Sequence, residues 1–415
     1  MNGSLFHRHQ RSRGFTLVEL LVAMTGALML STSVFLLAKH STALYQEESR
    51  VANASLASVI GFERLRADIA RAGYMASPNV QRDPFVCGTP ATDPSWPTQL
   101  RSLSSVTITQ SPLVDLPAVI SANDLRPHRL LLAGNYSSAE ALPVRAIYPS
   151  GGAIQVDLQV QSPAMARLGY LEPDIDTTRQ LSILQAVFPV GRAVRLVDKA
   201  GRHHYGTIAA VQAVPQPSLI LEPDQPTLQF RSGSSLGCGL SGETGSLINT
   251  VNFIRYEIRQ LQGADRARYA PIYALDGPDY DAQRTELVRS ELDPSGTPIA
   301  GTAELIAEYA VDLRFRLTVA PSDSVPLQRV NEDAIGDWAG PAAGLAPNRG
   351  PQLIRSVHTW LSVRSRAADR AQGIDTEEGP LFRIGLGPSG AAPFARVRTV
   401  RGHVVLHNQL GVTWQ

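Results

Sequence analysis

The stretch Arg13-Gly14-Phe15-Thr16-Leu17-Val18-Glu19-Leu20-Leu21-Val22-Ala23 decides how the rest of the chain is read. It joins a polar leader, Met1 to Gly14, which carries Arg8, Arg11 and Arg13 and no acidic residue, to the apolar run FTLVELLVAMTGALMLSTSVFLLA from Phe15 to Ala38. At about 1.5 Å of helical rise per residue the run spans roughly 36 Å, enough to cross a hydrocarbon layer about 30 Å thick. Three arginines before it, against Lys39 and Arg50 after it, favour a cytoplasmic leader and a body on the far side of the membrane. An ordinary secretory signal places a short apolar run ahead of its small-residue cleavage site; here the small residue and the basic charges come first and the run is long. Glu19 is the odd member, since an acidic residue at mid-bilayer costs about 2.5–3.5 kcal/mol. Either it has a partner, or it sits at the water interface of a plain signal anchor; position alone leaves both open.

Downstream, Leu56, Val59, Phe62, Leu65, Ile69 and Ala72 recur at steps of three and four, with Glu63, Arg64, Arg66, Asp68 and Arg71 between them. This spacing predicts an amphipathic helix with a polar face, ended by Gly73 as the C′ residue. Unbroken from Phe15 to Ala72 it would run near 87 Å, with Gly26, Gly61 and the Ser/Thr run at 31–33 as places where it would loosen.

The 415 residues carry 38 Lys+Arg against 37 Asp+Glu, a formal charge of +1, so no global pull toward nucleic acid or membrane exists. With 43% hydrophobic and 18% charged residues the chain can build a core and is far too apolar for a disordered one. The 33 Gly and 29 Pro point to many turns. Beyond Tyr74 the period drops from 3.6 to 2 in short runs: 105–108, 129–132, 154–160, 193–197, 218–221, 251–258, 313–319, 357–363 and 396–406. The expected fold class is therefore α+β: a leader (1–14), a membrane helix (15–38), an amphipathic helical half (39–73) and an antiparallel β-rich body (74–415). Loop insertions are expected at about 80–100 and 321–351, where Pro, Gly, Thr and Asn gather.

Residues 13–23 resemble the type III signal of type IV pilins and pseudopilins, with no mismatched position. The resemblance implies a membrane aspartyl peptidase that cuts between Gly14 and Phe15 on the cytoplasmic side and then methylates the new amino terminus. It also implies that Glu19, fifth in the mature chain, neutralises the amino terminus of a neighbouring subunit during assembly. The residue types agree: Gly14 puts no side chain beside the scissile bond, and a freed amine has a carboxylate to pair with. The helix end Phe62 to Tyr74, Phe-Glu-Arg-Leu-Arg-Ala-Asp-Ile-Ala-Arg-Ala-Gly-Tyr, is similar to minor pilins of the PilW type. Loose patterns at 251–256, 285–289, 305–317 and 397–408 lean the same way, and because the chain is long for a minor pilin the resemblance implies an elaborated insertion from about 88 to 247. The resemblance thus implies a minor pilin of a type IV pilus priming or tip complex, held in the inner membrane with its C-terminal domain periplasmic and later reaching the pilus at the cell surface. Its partners would be the prepilin peptidase, other minor pilins and the major pilin; it would be no enzyme and need no cofactor. The alternatives are a minor pseudopilin of a type II secretion system and a signal-anchored periplasmic hydrolase or sensor.

Cys87 and Cys238 are the two cysteines, which excludes a zinc site of three or four thiolates and a thiolate-held iron–sulfur cluster. Outside the cytoplasm two lone cysteines pair more often than not, so a disulfide is expected. Gly233-Ser234-Ser235-Leu236-Gly237 fits the nucleophile elbow G-x-S-x-G but is followed by glycines rather than a helix, and reads as a flexible loop. Gly385-Leu386-Gly387-Pro388-Ser389-Gly390 fits G-x-G-x-x-G, but Pro388 and Pro393 obstruct the helix a pyrophosphate needs. His403 and His407 have zinc spacing only on a helix, and the alternation around them argues strand; His203 and His204 would point to opposite faces. No metal site is expected. Residues 350–415 carry a net charge of +4, and Arg396 and Arg398, with Arg364 and Arg366, would share a strand face. Such a face can grip DNA phosphates or an acidic pilin neighbour, though a solvated sheet face is the reading we favour.

Overall fold

The computed structural model describes residues 16–88, 90, 93–94, 96–112, 116–223, 238, 245–271, 283–322, 325–341, 346, 348–366, 381–384, 394–412 and 414. Gly14, Phe15, the G-x-S-x-G segment and the G-x-G-x-x-G segment lie outside the described residues. Two compact units divide between Asn53 and Ala54.

In the first unit the described structure is one helix, α1 (Leu17–Ala70), which also begins the second. Its apolar part, Leu17–Thr42, is long enough to cross a membrane and buries none of its surface inside the chain. Several of its hydroxyls bond back to the helix itself. Thr25 Oγ1 donates to Val22 O (2.9 Å), Thr32 Oγ1 to Leu28 O (2.7 Å) and Ser33 Oγ to Met29 O (2.9 Å). Back-bonding of this kind satisfies these hydroxyls in an apolar surround. The helix therefore runs through Gly26 and the Ser/Thr run without a break.

The second unit is built on two antiparallel sheets. One runs β1 (Val106–Gln110), β2 (His128–Gly134), β8 (Leu247–Arg259), β9 (Glu286–Leu292), β10 (Glu304–Ala307). The other runs β12 (Gln328–Val330), β11 (Ala310–Val319), β13 (Ile354–Arg364), β15 (Phe394–Val405), β14 (Leu381–Arg383). Alternate residues of both close one core: Ile108, Leu130, Leu132 and Ile254 from the first, Leu313, Phe315, Leu317 and Leu361 from the second. The end of α1 enters the same core through Phe62, Leu65, Ile69 and Ala72. Leu56 and Val59, expected on that stripe, are exposed. Two successive steps of three each fall about 60° short of a turn, so these side chains rotate away from the face Phe62 begins.

The stretch expected as one insertion, about 88–247, divides between two β bodies. Residues from 106 to 134 belong to the main sheet, whereas β3 (Leu142–Ser150), β4 (Ala153–Leu158), β5 (Ala193–Val197), β6 (His203–Gln212) and β7 (Ser218–Leu221) form a second β body. Pairing runs β8–β3–β4–β7–β6–β5 and returns to β8 through Val194↔Thr250 and Leu196↔Ile248, so six strands close a barrel. Closure removes the open edges that would otherwise invite pairing with other chains. Its own core holds Val144, Val156, Leu158, Leu196, Ile208, Leu219 and Ile248, with Met165, Leu184 and Phe188 supplied by the connection between β4 and β5. The two proline-rich stretches are not plain loops either. Val80, Trp96 and Leu100 are buried with Tyr205 and Phe253, and the later stretch holds β12 and buries Ile335 and Trp338. A few large apolar residues in a turn-rich background are enough to fix each against the body.

Candidate functional site

At the start of α1 the sequence Thr16-Leu17-Val18-Glu19 folds as a reciprocal cap. Thr16 N and Oγ1 donate to Glu19 Oε2 at 3.0 and 2.9 Å, and Glu19 N donates to Thr16 Oγ1 at 3.3 Å. Thr at the cap and Glu three residues on is the capping-box pattern, which satisfies backbone donors that a helix start leaves bare. A carboxylate here also faces the positive end of the helix dipole. Glu19 thus has an answer within its own chain, a Thr-x-x-Glu signal that a search for a cationic partner passes over. The carboxylate stays exposed, open to a further charge.

At its other end α1 is fastened to the β body by a buried ionic group. Arg289 Nε of β9 donates to Asp68 Oδ2 at 2.7 Å, and Tyr256 OH of β8 donates to the same oxygen at 2.8 Å. Asp68 is 3% exposed and Arg289 8%, so the pair is inside the protein. The spacing predicts Asp68 on the polar face, and the structure corrects this. Tyr136 OH donates to the Asp68 carbonyl at 2.8 Å. Burial, reinforced by the Asp68 charge, pushes both Tyr136 and Tyr256 well above the ordinary tyrosine value, so each remains a proton donor. The helix stops where expected. Gly73, at φ +72°, sends its N–H to Ala133 O at 2.8 Å, and Asn408 Nδ2 caps the Ala72 carbonyl at 3.1 Å. Gly61, expected as a weak point, is instead a point of contact: a Cβ there would fall inside contact distance of the Ile306 carbonyl.

Comparison with known proteins bears on the first of these two ends. The family model of the prokaryotic N-terminal methylation motif matches residues 9–25. The chain carries a type IV pilin-like prepilin signal. The match spans the last part of the leader, the bond Gly14–Phe15 and the capping pair Thr16 and Glu19, and ends inside the apolar helix. No curated protein and no solved structure matches the chain. Together with the apolar helix, the motif fits a single-pass membrane anchor of a prepilin-type protein.

Of the remaining expected site residues, Cys87 and Cys238 are joined in a disulfide with Cα atoms 5.6 Å apart. Cys87 is buried, and its N–H donates to His203 O at 2.9 Å, which fixes the bridge to the start of β6. His203 and His204 meet separate carboxylates, Asp83 at 3.3 Å and Asp198 at 3.2 Å. His403 lies on β15 and stacks on its cross-strand partner His358 with ring centroids 5.4 Å apart, while His407 lies beyond the strand. The expected arginine face is broken. Arg396 and Arg398 are exposed on one face of β15, but Arg364 pairs with Val397 and so lies on the other. It is 1% exposed, its guanidinium over Tyr309 at 4.8 Å and Phe382 at 5.8 Å. That side chain serves the core and is unavailable to phosphate.

Proposed function

We propose that the protein is a minor pilin of the PilW type that takes part in type IV pilus assembly after cleavage at Gly14–Phe15 and N-methylation of Phe15. The observation that carries this reading is continuity. The methylation motif runs directly into a capped apolar helix, and the same helix ends in an ionic lock on a large β body. A precursor of this build is held in the inner membrane by α1 with its β body in the periplasm, and enters the filament from there. Its partners in this reading are the prepilin peptidase, the other minor pilins and the major pilin. It is itself no enzyme: the peptidase acts on it. Glu19, exposed and capped within its own chain, would meet the methylated amine of an adjacent subunit once filament packing shuts it off from water, where a carboxylate is tolerable only when a positive group answers it.

The test is the first residue of the mature protein, read by mass spectrometry. N-methylated Phe15 is expected, and Gly14→Val should leave a full-length precursor in the membrane. An intact Met1 terminus in the wild type, or normal processing of the Gly14→Val variant, would overturn the proposal.

A further inference from the structure

On the face of β8 opposite the one that carries Tyr256, the first sheet holds a cleft of about 570 Å³ lined by Ser111, Arg129, Arg255, Glu257, Arg259 and Gln262 among others. The volume falls in the range of small-molecule sites, about 300–1,000 Å³. Strand periodicity puts residues 255, 257 and 259 of β8 on one face, and the register Leu131↔Arg255 brings Arg129 of β2 beside Glu257. Three guanidiniums thereby converge on one carboxylate. Arg129 Nε lies 2.9 Å from Glu257 Oε2, and Arg255 Nη2 and Arg259 Nε lie 2.9 and 3.6 Å from Oε1. Asp265 takes a second hold on Arg259 at 2.8 Å. Among the described residues, three positive charges against two negative leave the cleft cationic.

Two further observations point to a ligand rather than to a closed salt-bridge network. Ser111 is 7% exposed and lines the cleft, yet its Oγ has no hydrogen-bond partner among the described residues. Arg255 Nε is likewise buried without a partner there. Both are donors, and both stand on the cleft that holds the excess positive charge. Burial chiefly, and then the charges of Arg129 and Arg259, pull Arg255 below the ordinary arginine value against the opposing pull of Glu257. An incoming anion would relieve that crowding.

We propose that this cleft binds a small organic anion through a carboxylate or phosphate group, with Arg255 and Ser111 as its direct donors. Planar guanidinium forks suit both oxyanions, and among the described residues the lining holds no aromatic ring on which a nucleobase would stack.

The experiment uses the full-length protein in detergent micelles. Inorganic phosphate, glucose 6-phosphate and citrate are titrated calorimetrically against sodium chloride at matched ionic strength. Saturable binding of at least one is expected, and which one binds separates the phosphate source from the carboxylate. Arg255→Gln should weaken it at least tenfold and Ser111→Ala severalfold. Because Arg255 also holds Glu257, an exposed rim substitution, Gln262→Glu, supplies a negative charge without touching that network; a fivefold or greater loss is expected. Heats no different from chloride for all three anions would overturn the proposal. So would binding that Ser111→Ala and Gln262→Glu leave unchanged.

Discussion

Removing the Asp68 carboxylate tests the account of how α1 is held. In Asp68→Asn the Arg289 guanidinium, 8% exposed, would lose the carboxylate 2.7 Å from its Nε, and Tyr256 OH would lose a charged acceptor at 2.8 Å. Breaking a buried pair from one side costs about 3–5 kcal/mol, because the surviving charge is left unanswered. Arg289 has a second carboxylate within reach, Glu304 at 3.4 Å, but that group is 44% exposed and answers it less well. The lower end, about 3 kcal/mol, is therefore expected. For a unit of about 360 residues unfolding together this corresponds to a fall of roughly 4 °C in Tm. The assay is thermal unfolding of the full chain in detergent for Asp68→Asn, Arg289→Met and the double variant. Removing both charges together should cost clearly less than the two single costs added, with a coupling of at least about 2 kcal/mol. Additive costs, or an Asp68→Asn variant within about 0.5 kcal/mol of wild type, would refute the lock.

Three further outcomes are expected. Glu19→Gln keeps an acceptor for Thr16 but drops the charge, whereas Thr16→Ala drops the hydroxyl half of the cap and keeps the charge; both should be cleaved, and only the first should lose co-purification with other minor pilins. Equal recovery of the two would reduce Glu19 to its capping role. Cys87→Ser or Cys238→Ser should migrate more slowly than wild type on a non-reducing gel and lose about 2–4 kcal/mol; unchanged mobility would count against the bridge. Burial pushes Glu286 up to about 7 from 4.5 despite its ion pair with Arg284, so the folded state keeps a proton that the unfolded state has lost. Its contribution is then present below about pH 4.5 and falls by roughly 3 kcal/mol as pH rises through 7. In Glu286→Gln that slope of stability with pH should vanish, and its persistence would place the proton elsewhere.

The parts of this structure that are legible in the sequence are those set by neighbours along the chain. The apolar run gave a continuous helix, Gly73 ended it in the left-handed region, and strands 193–197 and 218–221 lie where alternation puts them. Asp68 shows where local reading fails. At 100° per residue it stands about 40° from Ala72 and about 60° from Leu65, on the border of the apolar stripe, where polar residues usually meet water. What turns it inward is an arginine 221 positions away, and no periodicity carries that information. Arg364 fails for the same reason, its place being set by Tyr309 and Phe382.

The barrel poses a sharper version of this problem, since its strands are ordinary and only their partners are unusual. Strand β8 changes partners within one residue: Val251 pairs with β5 of the barrel and Asn252 with β2 of the main sheet. The change is held by polar contacts. Asn252 Oδ1 accepts from Tyr136 N–H at 2.9 Å, and its Nδ2 donates to Glu291 Oε1 at 2.6 Å. Arg192, just before β5, grips the same Glu291 with both Nε and Nη2, at 2.6 and 3.0 Å. Such a branch needs one long strand and a few satisfied polar groups, because the barrel brings its own apolar core and borrows from β8 only Ile248. The core that holds Phe62, Leu65 and Ile69 of α1 is a different cluster. Changes of volume inside the barrel are therefore felt first by its own lining, while the helix lock answers to β8 and β9 beyond the branch. A second β body can be carried on these terms without altering the face that receives the helix.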